Sequence, residues 1–267
     1  LYEDLKTLTD LIPNQLTETG RRRLARDVAA VFRRDGEAAA IRYEISRRYR
    51  SASELEAAPS YLTRPRWTLS ANSPHKATFD YIEATWTKLV RVTPKTTLST
   101  LIPLPNPIII PGARFQEAYY WDSYFALHAL ISTGRGELVR GQIENFLFMS
   151  DKYGVIPNGN RDYYLSRSQP PVLSRMVRDY LEETDGPRLT AKNAEWLRNR
   201  VLPTLIRDYR QFWMNPQTRF DKTTGLNHHY DSNNTPRPER HRSDKESELG
   251  KTFRDVRAEA ESGKDFT

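Results

Sequence analysis

Cysteine is absent from these 267 residues. Neither a disulfide, nor a thiol nucleophile, nor a cysteine-held metal can operate here, and the redox compartment leaves no mark on the sequence. No apolar run approaches the roughly 20 residues that a membrane span needs. No basic-then-apolar leader follows Leu1, which puts any signal peptide outside the sequence. Low-complexity tracts, internal repeats and strand-rich blocks are missing as well. What is there, 37% hydrophobic and 11% aromatic residues, suffices at this length for a large buried core.

Charge leans to the basic side: 41 Lys and Arg against 34 Asp and Glu, a net +7. A surplus of this sign raises the question of an anionic partner. The clusters Arg21-Arg22-Arg23, Arg33-Arg34 and Arg47-Arg48 fall at helical spacing between apolar residues, which reads as solvated helix faces. No helix-turn-helix, zinc-finger or RNA-binding signature accompanies them, so nucleic acid is not an expected partner. A helical nucleic-acid binder using these arginines would bind oligonucleotides in a salt-sensitive way.

Helical periodicity dominates the chain. Gly20 to Tyr49 is charged and Ala-rich, with Leu24, Val28, Val31 and Phe32 on one stripe. His75 to Val92 carries Phe79, Ile82, Trp86 and Leu89 at spacings of 3, 4 and 3, the mark of a helix facing a core. Tyr124, Leu127, His128 and Ile131 predict another helix, and Val139, Ile143, Phe146 and Leu147 the next, from about Arg135 to Lys152. Pro170 and Pro171 suit the first turn of a helix running to Thr184. Leu197, Val201, Leu205, Tyr209 and Phe212 line one more, which Pro203 should kink or restart. Thr93 to Pro111 holds five prolines without periodicity and reads as an extended connector. The pattern is an all-α protein of paired helices joined by site-bearing loops.

The most informative run is Pro111 to Tyr124, Pro-Gly-Ala-Arg-Phe-Gln-Glu-Ala-Tyr-Tyr-Trp-Asp-Ser-Tyr. It gathers one Arg, one Glu, one Asp and five rings just after a Pro-Gly turn. A helix core does not ask for three charges among so many rings. A sugar site does, because rings stack on the apolar faces of a pyranose while Arg and carboxylates hydrogen-bond its hydroxyls. This run closely resembles the first signature of the trehalases, which hydrolyse the α,α-1,1 bond between two glucoses. That pattern usually has Gly where Ala113 stands. The resemblance implies that Arg114, Phe115, Tyr119, Trp121 and Asp122 line the sugar site. Glu117 and Asp122 suit hydrogen bonding to the Arg or to a loop better than proton transfer.

Three further segments extend the resemblance, which runs from about Tyr43 to Phe266. Gly154 to Pro171 ends in Arg-Ser-Gln-Pro-Pro, as the trehalase segment does. By itself it is a loop rich in turn formers. Its Asn158, Arg167 and Gln169 match sugar-binding positions, and such side chains offer several donors to vicinal hydroxyls. Arg237-Pro-Glu239 matches a short Arg-Pro-Glu step, implying sugar contacts from Arg237 and Glu239. The nearby His228-His229 pair lacks a carboxylate or cysteine ligand set at a familiar spacing, so it reads as solvated loop and not as a metal site. Ala260 to Phe266 matches a Glu-Ser-Gly step followed, usually after Trp, by the general acid, which places that role on Asp265. Lys264 stands where an aromatic is common, and a cation beside an acid favours its ionised form.

The resemblance implies a closed double ring of helices, the (α/α)6 toroid, incomplete in this chain. Residues 1–42 form an N-terminal helical segment, and residues 43–267 the N-terminal part of one catalytic domain. It implies inverting hydrolysis of trehalose to two glucoses, for which the acid needs a carboxylate base roughly 6.5–9.5 Å away. In trehalases that base is a Glu beyond a second aromatic signature, and neither occurs here. The chain is therefore expected to be a fragment, inactive by itself, with rings such as Trp86 and Phe146 short of a facing layer. No metal and no cofactor is expected, trehalose is the expected partner, and the family favours an extracellular or periplasmic location. The alternative is a non-catalytic trehalose-binding or regulatory protein that has lost the base.

Overall fold

The computed structural model describes residues 11–13, 17–37, 39–40, 43–44, 49–51, 55–95, 99–113, 115–240 and 250–263. Helix α1 (Glu18–Asp35) is capped by the Thr17 side chain, which accepts from the Gly20 amide at 3.1 Å. The predicted helix to Tyr49 is interrupted at Gly36, whose φ of 84° leaves the right-handed helical region. Of the predicted stripe only Leu24 is buried, and Phe32 is half-exposed. Arg21, Arg22, Arg23, Arg33 and Arg34 face solvent as expected, while Arg47 and Arg48 lie outside the described residues.

Strand β1 (Leu11–Pro13) pairs antiparallel with β2 (Tyr49–Ser51). After β3 (Glu56–Ala57) and the single turn α2 (Ser60–Thr63), α3 spans Lys76–Leu89. The periodicity that suggested helix to Val92 stops three residues early. Val90–Val92 forms β4, central in a three-stranded antiparallel sheet between β3 and β5 (Ile108–Ile109). Two β-branched residues in three favour that extended conformation.

The core lies among α4 (Tyr120–Ser132), α5 (Gly136–Tyr153) and α6 (Leu173–Asp185), which pack on one another. The link between α4 and α5 is three residues long, which makes them a helical hairpin. Phe146 and Tyr120 meet edge to face at 5.1 Å between centroids, and Leu127, Leu130, Ile143, Leu147, Met176 and Val177 fill the layer around them. Trp86 and Phe146 are both buried within this chain, against the expectation that they lack a facing layer. Apolar residues left open lie elsewhere, Tyr81, Ile82, Phe125, Ile206 and Tyr209 among them.

Residues 191–213 make one continuous helix, α7, in four stretches: Ala191–Trp196, a wide-turn π segment at Leu197–Val201, Leu202–Arg207, and a second π segment at Asp208–Trp213. Pro203 neither ends nor restarts it. The turn ahead of the proline widens, so that the Leu202 N–H reaches the Leu197 carbonyl five residues back, and the ring sits at the head of the next stretch. A small hairpin, β6 (Phe220–Asp221) with β7 (Leu226–Asn227), precedes α8 (Phe253–Glu261). A capping box of Thr252 and Asp255 starts α8.

The connector of residues 99–113 threads through the core and does not skirt it. Ile108, Ile109 and Ile110 are buried. Its prolines bring no amide donors, and buried amide side chains satisfy several of the remaining groups. Gln142 accepts from the Ile109 N–H at 3.3 Å, and Asn145 accepts from Asn106 at 3.0 Å while donating to the Asn106 and Pro107 carbonyls. Asn160 donates to the Ile102 carbonyl at 2.9 Å and accepts from the Ala118 N–H at 2.8 Å. The connector thereby sets the height of the segment that follows it, 112–124.

At the start of that segment Gly112 and Phe115 exchange backbone hydrogen bonds at 3.0 and 3.3 Å. Ala113 is held at φ 51°, in the left-handed region where its Cβ crowds the backbone. Ala113→Gly should therefore stabilise the protein by about 0.5–1 kcal/mol, relief of that crowding outweighing the looser unfolded chain. Denaturant midpoints read this out, and a midpoint lowered by the substitution would show that the turn carries no strain.

Candidate functional site

The four sequence segments meet at the ends of α4, α6 and α8. Trp121, on the first turn of α4, donates its backbone N–H to the Gln169 side-chain oxygen at 3.0 Å. One residue earlier the Tyr120 N–H reaches the Asn158 carbonyl at 2.9 Å. With its amide oriented to satisfy both neighbours, Asn158 donates to the Ser168 carbonyl and accepts from Arg167 Nε at 3.3 Å. The first and second segments are thus one surface.

Arg167 is the centre of a buried ion network. Its guanidinium pairs with Glu239, lies 3.4 Å from Asp231, and stands over the Tyr164 ring at 5.2 Å. Asp231 also accepts from Arg257 Nε at 2.8 Å, and Arg257 reaches Ser166 at 3.1 Å. Burial works against the charge of Arg167, but Glu239, Tyr164 and Asp231 outweigh it and hold its pKa above the ordinary arginine value. Burial lowers that of Arg257, with Arg167 adding to the effect against the pull of Asp231. Arg237 is buried on the same short turn as Glu239.

A second carboxylate knot sits beside the first. Glu261, the last residue of α8 and fully buried, accepts from the Ser168 N–H at 2.6 Å, Arg219 at 2.5 Å and the Tyr230 N–H at 2.9 Å. His229 Nδ1 is 3.1 Å from it, so this histidine is tethered and half-buried, not free in a solvated loop, whereas His228 is exposed. Two residues on, Gly263 lies flat against Trp121: a Cβ there would come within 2.7 Å of the indole. The fourth segment is thereby tied to the first and second.

A run of rings leads to the site. Phe115 meets Tyr119 edge-on at 5.6 Å, and Tyr119 meets Tyr164 at 5.9 Å with their hydroxyls 3.0 Å apart. Burial, then the neighbouring Tyr164 and Glu117, push the Tyr119 hydroxyl well above its usual pKa; burial, then Glu239 and Glu117, do the same for Tyr164. Glu117 is fully buried and accepts from Arg161 Nε at 2.9 Å, the loop-holding role expected of it. Asp122 is half-buried on the first turn of α4. Arg114, Lys264 and Asp265 lie outside the described residues.

Sequence reasoning assigned no role to Asp231, Arg257, Arg219 or Glu261, although Glu261 opens the Glu-Ser-Gly step. Arg257 and Glu261 are four apart on one helical face, and Asp231 follows the His-His-Tyr run, so those three left a signal. Arg219 left none. Among the described residues no cluster of three or more His, Asp and Glu could hold a metal ion, and no helix is long and apolar enough to cross a membrane.

Paired helices whose loop ends gather arginines, amides and carboxylates beside ring faces define a helical protein with a buried polar cluster at its loop ends. The family model described as Trehalase matches residues 1–267, and the chain belongs to that family. It is 38% identical over 211 residues to the periplasmic trehalase of Xanthomonas oryzae pv. oryzae, covering 70% of this chain and 35% of that protein. To the periplasmic trehalase of Pseudomonas aeruginosa it is 39% identical over 188 residues, 63% of this chain and 33% of the relative. The solved neutral trehalase of Saccharomyces cerevisiae superposes with a TM-score of 0.51 at 28% identity, over 73% of this chain and 41% of that one. The fold is accordingly all-α, of the (α/α)6 toroid type, and the chain spans about a third of the length of the curated relatives it matches.

An apolar cavity of about 570 Å³ opens between the start of α6, the end of α7 and the β6–β7 hairpin. Tyr209, Trp213, Leu205 and Ile206 wall it, and His228, His229 and Asp208 supply its polar groups. Burial raises the Asp208 carboxyl from 3.8 to about 6, against a hydrogen bond from Trp213 and the charges of Arg207 and Arg219. The folded protein thus holds this proton more tightly than the unfolded chain does. Stability falls as pH rises between those two values and is level above them. Asp208→Asn, which cannot ionise, should be more stable than the parent by roughly 1–3 kcal/mol at pH 7.5, with the gap closing toward pH 4. Urea unfolding at both pH values measures it, and a gap independent of pH would show that Asp208 is not the titrating group.

Proposed function

We propose that this chain carries the sugar-binding loops and the general acid of an inverting α,α-trehalose glucohydrolase. The observation that supports it most is the convergence of four separated segments, through Trp121–Gln169, Arg167–Glu239, Ser168–Glu261 and Trp121–Gly263, on one buried polar cluster flanked by rings. Arg114, Asn158, Arg167, Gln169, Arg237 and Glu239 hydrogen-bond the glucose hydroxyls, Phe115, Tyr119 and Trp121 give ring faces, and Asp122 completes the first loop. Asp265 protonates the bridging oxygen as the C–O bond breaks. A carboxylate from the part of the family's length that this chain does not span takes a proton from the attacking water, so one glucose leaves as the β-anomer. No metal or cofactor enters the reaction.

Glu117 is poorly placed to be the base, since its carboxylate is fully buried against Arg161. Residues 43–267 belong to the catalytic domain, and residues 1–42, which carry α1 (Glu18–Asp35), precede it. Relatives named as periplasmic support an extracytoplasmic location.

In an active full-length protein carrying this chain, Asp265→Asn should keep trehalose affinity within about threefold and lose roughly 10²- to 10⁴-fold in kcat, because an isosteric amide binds but cannot donate the proton. Titration calorimetry and glucose release read the two arms. Turnover within a few-fold of the parent would remove Asp265 from the role.

Residues 1–267 expressed alone should release no glucose in a coupled assay, because no residue here matches the base. Sustained turnover that disappears with Arg167→Ala would locate a base within these residues, with Asp122 the first to test.

A further inference from the structure

The last turn of α8 ends in a glutamate where a glutamate is disfavoured. The helix C-terminus carries a partial negative charge, which favours a cation there by about 0.3–1 kcal/mol. Glu261 is also fully buried, and withdrawing a carboxylate from water costs several kcal/mol unless donors occupy its oxygens. Four do so, drawn from three stretches of chain: the Ser168 N–H at 2.6 Å, Arg219 at 2.5 Å, the Tyr230 N–H at 2.9 Å and His229 Nδ1 at 3.1 Å. A residue that breaks two local rules and is compensated this fully is held for its geometry.

The geometry links two functional segments. Ser168 lies between Arg167 and Gln169 in the sugar loop, and Asp265 follows Glu261 by four residues. Between them Gly263, at φ 78°, is pressed on the indole of Trp121, the residue whose backbone N–H is held by the Gln169 side chain. The stretch leading to the acid is thus anchored at two points, a carboxylate clamp and a ring contact. Arg167, in contrast, is held independently by Glu239 and Asp231. Loss of the clamp would free the acid segment while leaving the sugar-binding guanidinium in place.

We propose that Glu261 is a positioning residue, which sets the acid segment against the sugar loop through its contacts to Ser168, Arg219, Tyr230 and His229. The proposal rests on the reading of Asp265 as the general acid. In Glu261→Gln a single acceptor oxygen replaces two and an NH2 group faces N–H donors, so the clamp cannot be rebuilt. In an active full-length protein this variant should lose about 10- to 100-fold in kcat, the cost of a displacement near 1 Å, with KM within about threefold.

A double-mutant cycle with Asp265→Asn separates this role from a general structural one. If Glu261 acts through Asp265, adding Glu261→Gln to Asp265→Asn should bring less than about threefold further loss of residual turnover. The same 10- to 100-fold loss in both backgrounds would overturn the proposal, as would a kcat unchanged by Glu261→Gln. Should Glu261→Gln not fold, Gly263→Ala carries the test: it keeps the carboxylate but pushes the segment off Trp121. It should show the same fall in kcat at near-constant KM, and parental kcat would again overturn the role. Parental turnover by Asp265→Asn alone would fail the acid assignment itself, and the positioning role with it.

Discussion

A guanidinium with 1% of its side chain exposed stays charged only where carboxylates enclose it, and Arg167 is held this way by Glu239 and Asp231. The loops of the site depend on that enclosure. Asp231 draws in Arg257 and hence α8, Glu239 draws in the Arg-Pro-Glu turn, and the backbone next to Arg167 engages Glu261. Removing Glu239 or Asp231 from such a set leaves a stranded charge, typically worth about 3–5 kcal/mol, so each of these carboxylates holds its own loop against Arg167. The same desolvation cost means that the network adds little net stability. Its contribution is to exclude other arrangements of the four loops, while stability comes from the apolar layer among α4, α5 and α6.

The route of the proline-rich connector follows from the same economy of polar groups. An extended segment inside a helical protein exposes every backbone donor and acceptor to an apolar surround. Proline deletes some donors, and Gln142, Asn145 and Asn160 meet others from helix and loop positions that are themselves buried. Those amides fix the connector, and the connector delivers the Pro-Gly turn and the aromatic run to the rim of the core.

Much of this was legible in the sequence, for reasons that differ by element. The α5 helix was read from its period, which reports burial on one face directly, whereas α6 begins at Leu173, with Pro170 and Pro171, expected in its first turn, left ahead of the Val172 cap. Helix α1 was overextended because the charged, Ala-rich composition continues past Gly36 although the apolar stripe ends at Phe32, and composition does not register a backbone break. The α3 helix ran three residues too long because Val90–Val92 fits both a buried helix edge and a central strand, and sheet pairing with β3 and β5 decided it. At Pro203 a kink or restart was expected, but the π turn ahead of it absorbs the missing donor. The closed helical ring and the roles of Arg114 and Asp265 came from family resemblance alone. Arg219 was not legible, since an isolated arginine on a short hairpin has no spacing to betray a partner 42 residues away.

Two carboxyl groups near one another in the fold show how environment divides the labour. Asp208 lines an apolar cavity where burial outweighs the donor and cations beside it, so its proton is retained to about pH 6. Glu261 sits among four donors, so both of its oxygens are occupied by contacts that have nothing to do with proton transfer. His229 belongs to both settings, lining the cavity and touching Glu261. The stretch just beyond β7 that carries it therefore couples the apolar cavity to the contacts of Glu261. That coupling makes the order of the loop cluster a matter of polar geometry on one side and apolar burial on the other.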